Sequence, residues 1–365
     1  MAAGQAVVDP GAPGPGPGRN GPFEDGAALG LRYCAFRSAA WLAERLPLRL
    51  TDAAANLGGR VAFHASRRKR EIVRRNLARV QPGAGNGSGL VRDAYLSYAR
   101  YWLETFRHGR YGARELLGMV DGENLEIVDS SLAARSGLLV VLPHFGFYDL
   151  LAAWAGARGW TLATVAEVLK PRPLFEWFAA VRERNGVKIL PASPGAQTLR
   201  ALLRVLHDGG IVALVADRDL GRRGVWVEYF GERTTAPVGP SMLAARTGVR
   251  LASVAFYQVA PGRYRCELAE IPYERTGDEA ADIGTIAQVI ASALEDVVRK
   301  SPEQYHLFST NWPADEPGLP PRGRHPDPPE TGPPAGVGPG PGEAPGGKPG
   351  PEVTGEPGVS TGDAG

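Results

Sequence analysis

Cysteine is almost absent from this chain. Cys34 and Cys266 are the only two in 365 residues, far apart and without metal-ligand spacing. That removes a disulfide framework and a thiolate metal site, and it suits a reducing compartment. Long apolar runs are missing as well. No stretch approaches the roughly eighteen uninterrupted apolar residues of a membrane-spanning helix, so none is predicted. The N-terminus lacks the basic region, apolar run and cleavage site of a secretory signal. No excess of one charge exists either: 41 Lys and Arg against 39 Asp and Glu leave +2, which argues against a dedicated nucleic-acid binder. No Gly-x-Ser-x-Gly elbow stands between a strand and a helix, so a covalent acyl-enzyme is not suggested. Aromatic residues are missing from the last 53 positions, where 15 Pro and 14 Gly crowd instead. Such a segment cannot bury enough apolar surface to offset the entropy of ordering it.

What remains between these ends is rich enough to fold. The expected organisation is a disordered N-terminal segment over 1–26, a folded domain over 27–312 and a disordered Pro/Gly-rich tail over 313–365. Within the domain, residues 27–79 read as amphipathic helices interrupted at Pro47. They are apolar at first and then basic, with Arg60, Arg67, Arg68, Lys69, Arg70, Arg74, Arg75 and Arg79 against one acid, Glu71. That composition lies on anionic membranes. It equally describes two core-facing helices with a solvated basic face, and the pattern alone leaves both readings open. A further aromatic-rich helical pair follows over 91–118.

Beyond it the periodicity changes. Short apolar runs at 137–143, 161–166, 187–190, 211–216, 251–257 and 264–268 alternate with helical stretches at 148–157, 173–185, 196–207, 238–247 and 283–300. Continuous apolar runs mark strands buried on both faces. The alternation predicts an α/β fold, with a mostly parallel central sheet flanked by helices on both faces and the amphipathic helices at its N-terminus.

Chemistry concentrates after the first of these strands, in Leu142-Pro-His144-Phe-Gly-Phe-Tyr-Asp149. Ligands of parallel sheets bind beyond the carboxyl ends of the strands. An imidazole there, oriented by a carboxylate from the next helix, is the general base needed to activate a hydroxyl. His144 and Asp149 are the candidates; the same two residues could instead only cap the helix. Asp217-Arg218-Asp219 follows the strand at 211–216 at the same edge. Three charges there are costly unless paired or used, which favours a place in the site.

The His-x-x-x-x-Asp motif after an apolar strand resembles the glycerolipid acyltransferase superfamily. The chain is more closely similar to the lipid A biosynthesis acyltransferases, especially to their actinobacterial phosphatidylinositol mannoside branch. Arg74-Arg-Asn-Leu77, Ala166-Glu-Val-Leu-Lys-Pro171, Asp217-Arg-Asp219, Val227-Glu-Tyr-Phe-Gly231 and Pro237-Val-Gly-Pro240 match that pattern in order, over roughly residues 28–312.

The resemblance implies transfer of a long fatty acyl group from acyl-CoA to a mannose hydroxyl, at the 6-position, of mannosylated phosphatidylinositol. The place of action would be the cytoplasmic face of the bacterial plasma membrane, on an anionic lipid surface. His144 and Asp149 would be catalytic. Glu167, Arg182, Asp217, Arg218, Asp219 and Glu228 would bind substrate. No metal and no cofactor other than acyl-CoA as co-substrate are implied, and no nucleic-acid partner. Two other readings stay open: late acylation of lipid A from an acyl carrier protein, and a non-catalytic lipid-binding protein of the same fold.

Overall fold

The computed structural model of the chain describes residues 38, 40–83, 88–166, 187–191, 196–219, 221 and 224–316. Residues 1–37 and 317–365, which include the expected disordered ends, and the helix expected over 173–185 lie outside the described residues.

Along the chain run α1 (Leu48–Ala65), α2 (Arg67–Val80), α3 (Ser88–Arg107), α4 (Ala113–Met119), β1 (Val120–Glu123), α5 (Glu126–Ala134), β2 (Leu138–Leu142) and α6 (Tyr148–Ala157). Then come β3 (Leu162–Ala166), β4 (Val187–Pro191), α7 (Ala196–His207) and β5 (Ile211–Val215). The last elements are β6 (Val225–Tyr229), β7 (Glu232–Ala236), α8 (Val238–Thr247), β8 (Arg250–Ala260), β9 (Arg263–Glu270) and α9 (Glu279–Arg299).

Seven strands form one sheet in the order β1-β9-β8-β2-β5-β3-β4. Every neighbouring pair is parallel except β8 with β9, which is antiparallel. The α/β class expected from the sequence is therefore the observed one. Side chains of β2 alternate between the two faces. Leu139 and Val141 pack with Leu206 of α7, Leu243 of α8 and Ile290 and Leu294 of α9. Leu138, Val140 and Leu142 pack with Val128 of α5 and with Leu150 and Trp154 of α6. All five β2 residues are buried, which is why the strand reads as an unbroken apolar run.

Three strands escaped the sequence reading. β1 carries Asp, Gly and Glu in four positions and is largely exposed, so it shows no apolar signature. The β6–β7 hairpin closes through Phe230 and Gly231, at φ 53° and 71°, the two positive-φ positions of a type I′ turn. Phe is an unusual occupant there, and it hides the turn from a reader of composition. The expected start of the tail at 313 is also corrected. Pro313–Asp315 form a 3-10 turn, held by Arg79, whose guanidinium pairs with Asp315 at 2.8 Å and lies 4.5 Å over the Trp312 ring.

Helix α1 sends Thr51, Ala55, Gly59 and Phe63 inward, one residue every fourth position, and it packs on α3. The approach is closest at Gly59, where a Cβ would stand 2.9 Å from both Leu96 Cα and Tyr95 O. Gly58 next to it faces open space. The two substitutions should therefore act with opposite signs. Gly58→Ala should stabilise by about 0.5–1 kcal/mol, through helix propensity alone. Gly59→Ala should destabilise by roughly 1–3 kcal/mol, because backbone must move to admit the methyl group. Urea denaturation of the pair tests this, and equal effects would refute the close crossing.

Candidate active site

His144 is delivered to its position by β2 and by a tight turn. Pro143 ends the strand, and Gly146 carries the turn past β8 at φ 62°. A Cβ on Gly146 would lie 1.8 Å from Phe256 O, so only glycine lets the loop run this close. Register then brings a second residue alongside. β2 pairs with β5 so that Leu142 lies opposite Val215, and Ala216 N–H continues the ladder to Leu142 O at 2.9 Å. The next residues of the two chains, His144 and Asp217, meet beyond the strand ends.

They meet at two points. Asp217 Oδ1 lies 2.7 Å from His144 Nδ1, and Asp217 Oδ2 accepts the His144 backbone N–H at 3.0 Å. The Asp217 side chain is wholly buried, whereas that of His144 is 31% exposed. Burial works to raise the Asp217 pKa, but the charge and hydrogen bonds of His144 outweigh it and leave the carboxyl below its ordinary value. An ionised carboxylate can only accept, so in the neutral ring Nδ1 carries the proton and Nε2 presents a lone pair. For His144 itself burial works downward, Asp217 works upward by charge and hydrogen bond, and Arg218 opposes weakly. The net pKa is above the ordinary 6.5.

The carboxylate that meets the His144 ring is Asp217 and not the expected Asp149, which corrects the expected pairing. Asp149 sits in the first turn of α6, where an acid suits the helix dipole. It is buried, and it accepts the Tyr101 hydroxyl at 2.7 Å. Burial, then the Asp149 charge, pushes that phenol well above its usual range. The oxygens of Asp219 accept the Gly221 and Gly224 amides at 3.1 and 2.7 Å, building the turn into β6. Glu228 lies on the exposed face of β6, since Val227 and Tyr229 on either side of it are buried. Arg218 remains close enough to act on His144 by charge. Glu167 and Arg182 lie outside the described residues.

Several neighbours of the dyad were not among the expected site residues. The buried phenols of Tyr229 and Tyr305 lie within reach of the Asp217 charge, which with burial holds both well above the ordinary tyrosine value. His306 is buried, and its ring Nε2 lies 2.9 Å from Ser97 Oγ. Burial first, then the nearby His144, lowers its pKa to about 3, so it stays neutral. Tyr229 belongs to the Val227–Gly231 stretch, but nothing in the spacing of these residues marks any of them as a neighbour of His144.

An apolar cavity of about 280 Å³ opens on the α6 side of the sheet, walled among others by Val140, Leu142, Leu151, Trp160, Val215 and Cys266. Asp149 and Tyr148 also line it, the Tyr148 ring centroid lying 6.2 Å from that of His144. Ile211 and Val215 both line it, so it runs along β5 for about 13 Å at strand rise. Burial pushes the Cys266 thiol up to about 12, which makes it a wall rather than a nucleophile. Among the described residues no cluster of potential metal ligands occurs.

An imidazole fixed in one tautomer beside an apolar slot suits the transfer of acyl groups between bulky apolar partners, and the chain is an acyltransferase. Residues 30–313 match the family described as bacterial lipid A biosynthesis acyltransferase, and the chain belongs to that family. It is 35% identical over 286 residues to a phosphatidylinositol mannoside acyltransferase of Mycobacterium tuberculosis (strain CDC 1551 / Oshkosh), covering 76% of this chain and 88% of that protein. It is 36% identical over 253 residues to the protein of the same name from Mycolicibacterium smegmatis, covering 67% of this chain and 80% of that one.

The pKa directions fix the pH window of the pair. His144, raised, contributes stability fully present below 6.5 and lost as pH climbs through its elevated folded value. Asp217, lowered, contributes stability present above 3.8 and lost as pH falls through its depressed value. In the native protein the His144 ring should therefore titrate above 6.5. Asp217→Asn should move that midpoint down, since burial then acts without its counterweight. Imidazole NMR reads both midpoints, and an unmoved one in the variant would break the assignment.

Proposed function

We propose that the chain transfers a long-chain acyl group from acyl-CoA to a mannose hydroxyl, at the 6-position, of mannosylated phosphatidylinositol. The observation that carries this reading is the two-point pairing of His144 with Asp217 next to an apolar cavity. The names of the two mycobacterial relatives supply the acceptor. The donor chain lies in the cavity with its thioester at the Tyr148–Asp149 end. The acceptor hydroxyl donates to His144 Nε2. As its oxygen attacks the thioester carbon, the proton passes to Nε2, and the Asp217 carboxylate offsets the charge of the imidazolium. Collapse of the tetrahedral intermediate breaks the carbon–sulfur bond, and the departing thiolate takes the proton back from Nε2. The step regenerates neutral His144 and needs no cofactor beyond the co-substrate.

The reaction joins two lipid-bearing partners, and we place it on the cytoplasmic face of the plasma membrane. No helix among the described residues is long and apolar enough to cross a membrane. Leu50, Leu57 and Val61 stand exposed on α1, opposite its buried stripe, at 54%, 66% and 59%. Arg60, Arg67, Arg68 and Lys69 are exposed beside them. The rest of the basic cluster is engaged within the protein: Arg70 donates to Phe63 O, Arg74 and Arg75 pair with Glu71, and Arg79 turns inward to Asp315 and Glu232. A narrow apolar stripe with a basic flank fits an anionic lipid surface.

Three experiments test this reading. Purified protein with acyl-CoA and mannosylated phosphatidylinositol should yield the acylated lipid by mass spectrometry, and transfer only to a lipid A precursor would overturn the acceptor assignment. His144→Ala should lower turnover by about 10²–10⁴-fold, the usual worth of a general base, with little change in melting temperature. Its effect and that of Asp217→Asn should not add, since both act on one proton transfer. For the membrane, Leu57→Asp with Val61→Asp should sharply reduce flotation with anionic vesicles at low salt. Undiminished flotation would remove α1 from the lipid contact.

A further inference from the structure

The stretch that follows α9 and its 3-10 turn, Tyr305-His-Leu-Phe-Ser-Thr-Asn-Trp312, touches both halves of the dyad. On the histidine side, His306 N–H donates to His144 O at 2.7 Å, Phe145 and Tyr305 form an isolated antiparallel bridge, and Gly146 N–H donates to Gln304 O at 2.8 Å. Gln304 is itself locked to β8: its Oε1 accepts the Gln258 N–H at 2.9 Å, and its Nε2 donates to Gln258 O at 2.8 Å. On the aspartate side, Asn311 Nδ2 donates to Asp217 O at 3.0 Å. One short segment thus holds the main-chain carbonyls of both residues whose side chains must meet at 2.7 Å.

The segment is in turn pinned from outside. Asn76, on α2 and 1% exposed, donates its amide to Leu307 O at 2.8 Å and to Ser309 O at 3.0 Å. One NH₂ group bridges two carbonyls of the same strap. Thr234 of β7 donates to Asn311 O, and Trp312 Nε1 donates to Tyr229 O at 3.1 Å. Asn76 is the buried polar member of the Arg74-Arg-Asn-Leu77 stretch, a motif with no assigned role in the reaction described above. A buried amide that spends both hydrogens on main-chain carbonyls 231 and 233 residues away fixes a distant segment rather than its own helix.

We propose that Asn76 and Asn311 are positioning residues for acyl transfer, acting through the 305–312 strap to hold His144 and Asp217 in register. Asp217 offers one oxygen to the ring and one to the peptide N–H of His144, and that fit tolerates little rotation of its backbone. Releasing Asp217 O lets its peptide plane turn and the carboxylate swing. Releasing the strap from α2 loosens both ends at once. The inference rests on the dyad geometry; its reaction readout alone rests on the proposed acceptor.

The test uses the full chain and two variants, Asn311→Ala and Asn76→Ala. Its first readout needs no substrate: the NMR titration of the His144 ring. The groups that face this ring are Asp217 and Arg218 after β5, Tyr148 on α6 and His306 on the strap. Those that face Asp217 are Tyr229 and Tyr305. Of these only Asp217 raises the His144 midpoint, so a loosened dyad shows as a midpoint that falls. The second readout is acyl transfer, where kcat should drop roughly tenfold or more with KM little changed, as for misplacement of reacting groups. The acid limb of the rate profile should move to lower pH with the NMR midpoint.

A residue that merely stabilised the fold would lower the melting temperature and leave both the midpoint and the kcat of the folded fraction at wild-type values. That outcome would overturn the proposal. Asn311 is only half-buried, so Asn311→Ala keeps the test open should Asn76→Ala fail to fold. A wild-type protein that does not acylate mannosylated phosphatidylinositol would defeat the acceptor reading, and the titration would still decide for or against the strap.

Discussion

One carboxylate that accepts from both the ring and the peptide N–H of the same histidine needs its partner placed within a few tenths of an ångström. A flexible loop cannot supply that alone. Here two adjacent parallel strands supply it, because the ladder of β2 with β5 sets how far His144 and Asp217 can stand from each other before any side chain is chosen. The face-to-face alternation of β2, the tight pass of Gly146 under Phe256 and the helices on both sides of the sheet all serve to keep that register. A slip of one residue would turn every side chain of β2 to the other face and would take the imidazole away from its carboxylate.

Burial gives the pair its character. Desolvation works against charge on both residues, yet it also removes the water that would screen their attraction. The balance here favours the ionised Asp217, helped by the second bond from the His144 amide. His306 provides the contrast. It is also buried, with a hydroxyl rather than a carboxylate at its ring nitrogen, and its pKa falls where that of His144 rises. Two identical side chains in one neighbourhood are thus pushed in opposite directions, one toward the charged form and one toward the neutral form. The difference lies wholly in what each ring nitrogen meets.

Much of the fold was legible because fully buried strands leave unbroken apolar runs that alternate with helical stretches. The histidine was legible too, since a strand followed by a polar turn puts its residue at the binding edge of the sheet. Its partner was not. Asp149 stands five residues away in sequence and invited a local pairing, while Asp217 became a neighbour only through a strand pairing 73 residues apart. Sequence reasoning placed Asp217 at the correct edge but had no means to choose between two carboxylates there. The contacts of Asn76, Tyr229, Tyr305, His306 and Asn311 were beyond its reach for the same reason, since sequence spacing encodes none of them, although Asn76 and Tyr229 lie in stretches it singled out. β1 and the β6–β7 hairpin were missed for another reason, having polar or atypical residues where the usual signals would lie.

The strand order carries a cost that falls during synthesis. Leu138 pairs with Ile211 on one side and with Arg250 on the other, so the five apolar residues of β2 leave the ribosome long before either neighbour does. Until then they form a sticky, uncharged strand with two open edges, the kind of segment that seeds aggregation or recruits a chaperone. Parallel sheets closed by such distant partners also assemble slowly. The feature that gives the mature protein its register therefore makes the nascent chain vulnerable, and heterologous expression of this protein should gain more from slower translation and lower temperature than from any change to its surface.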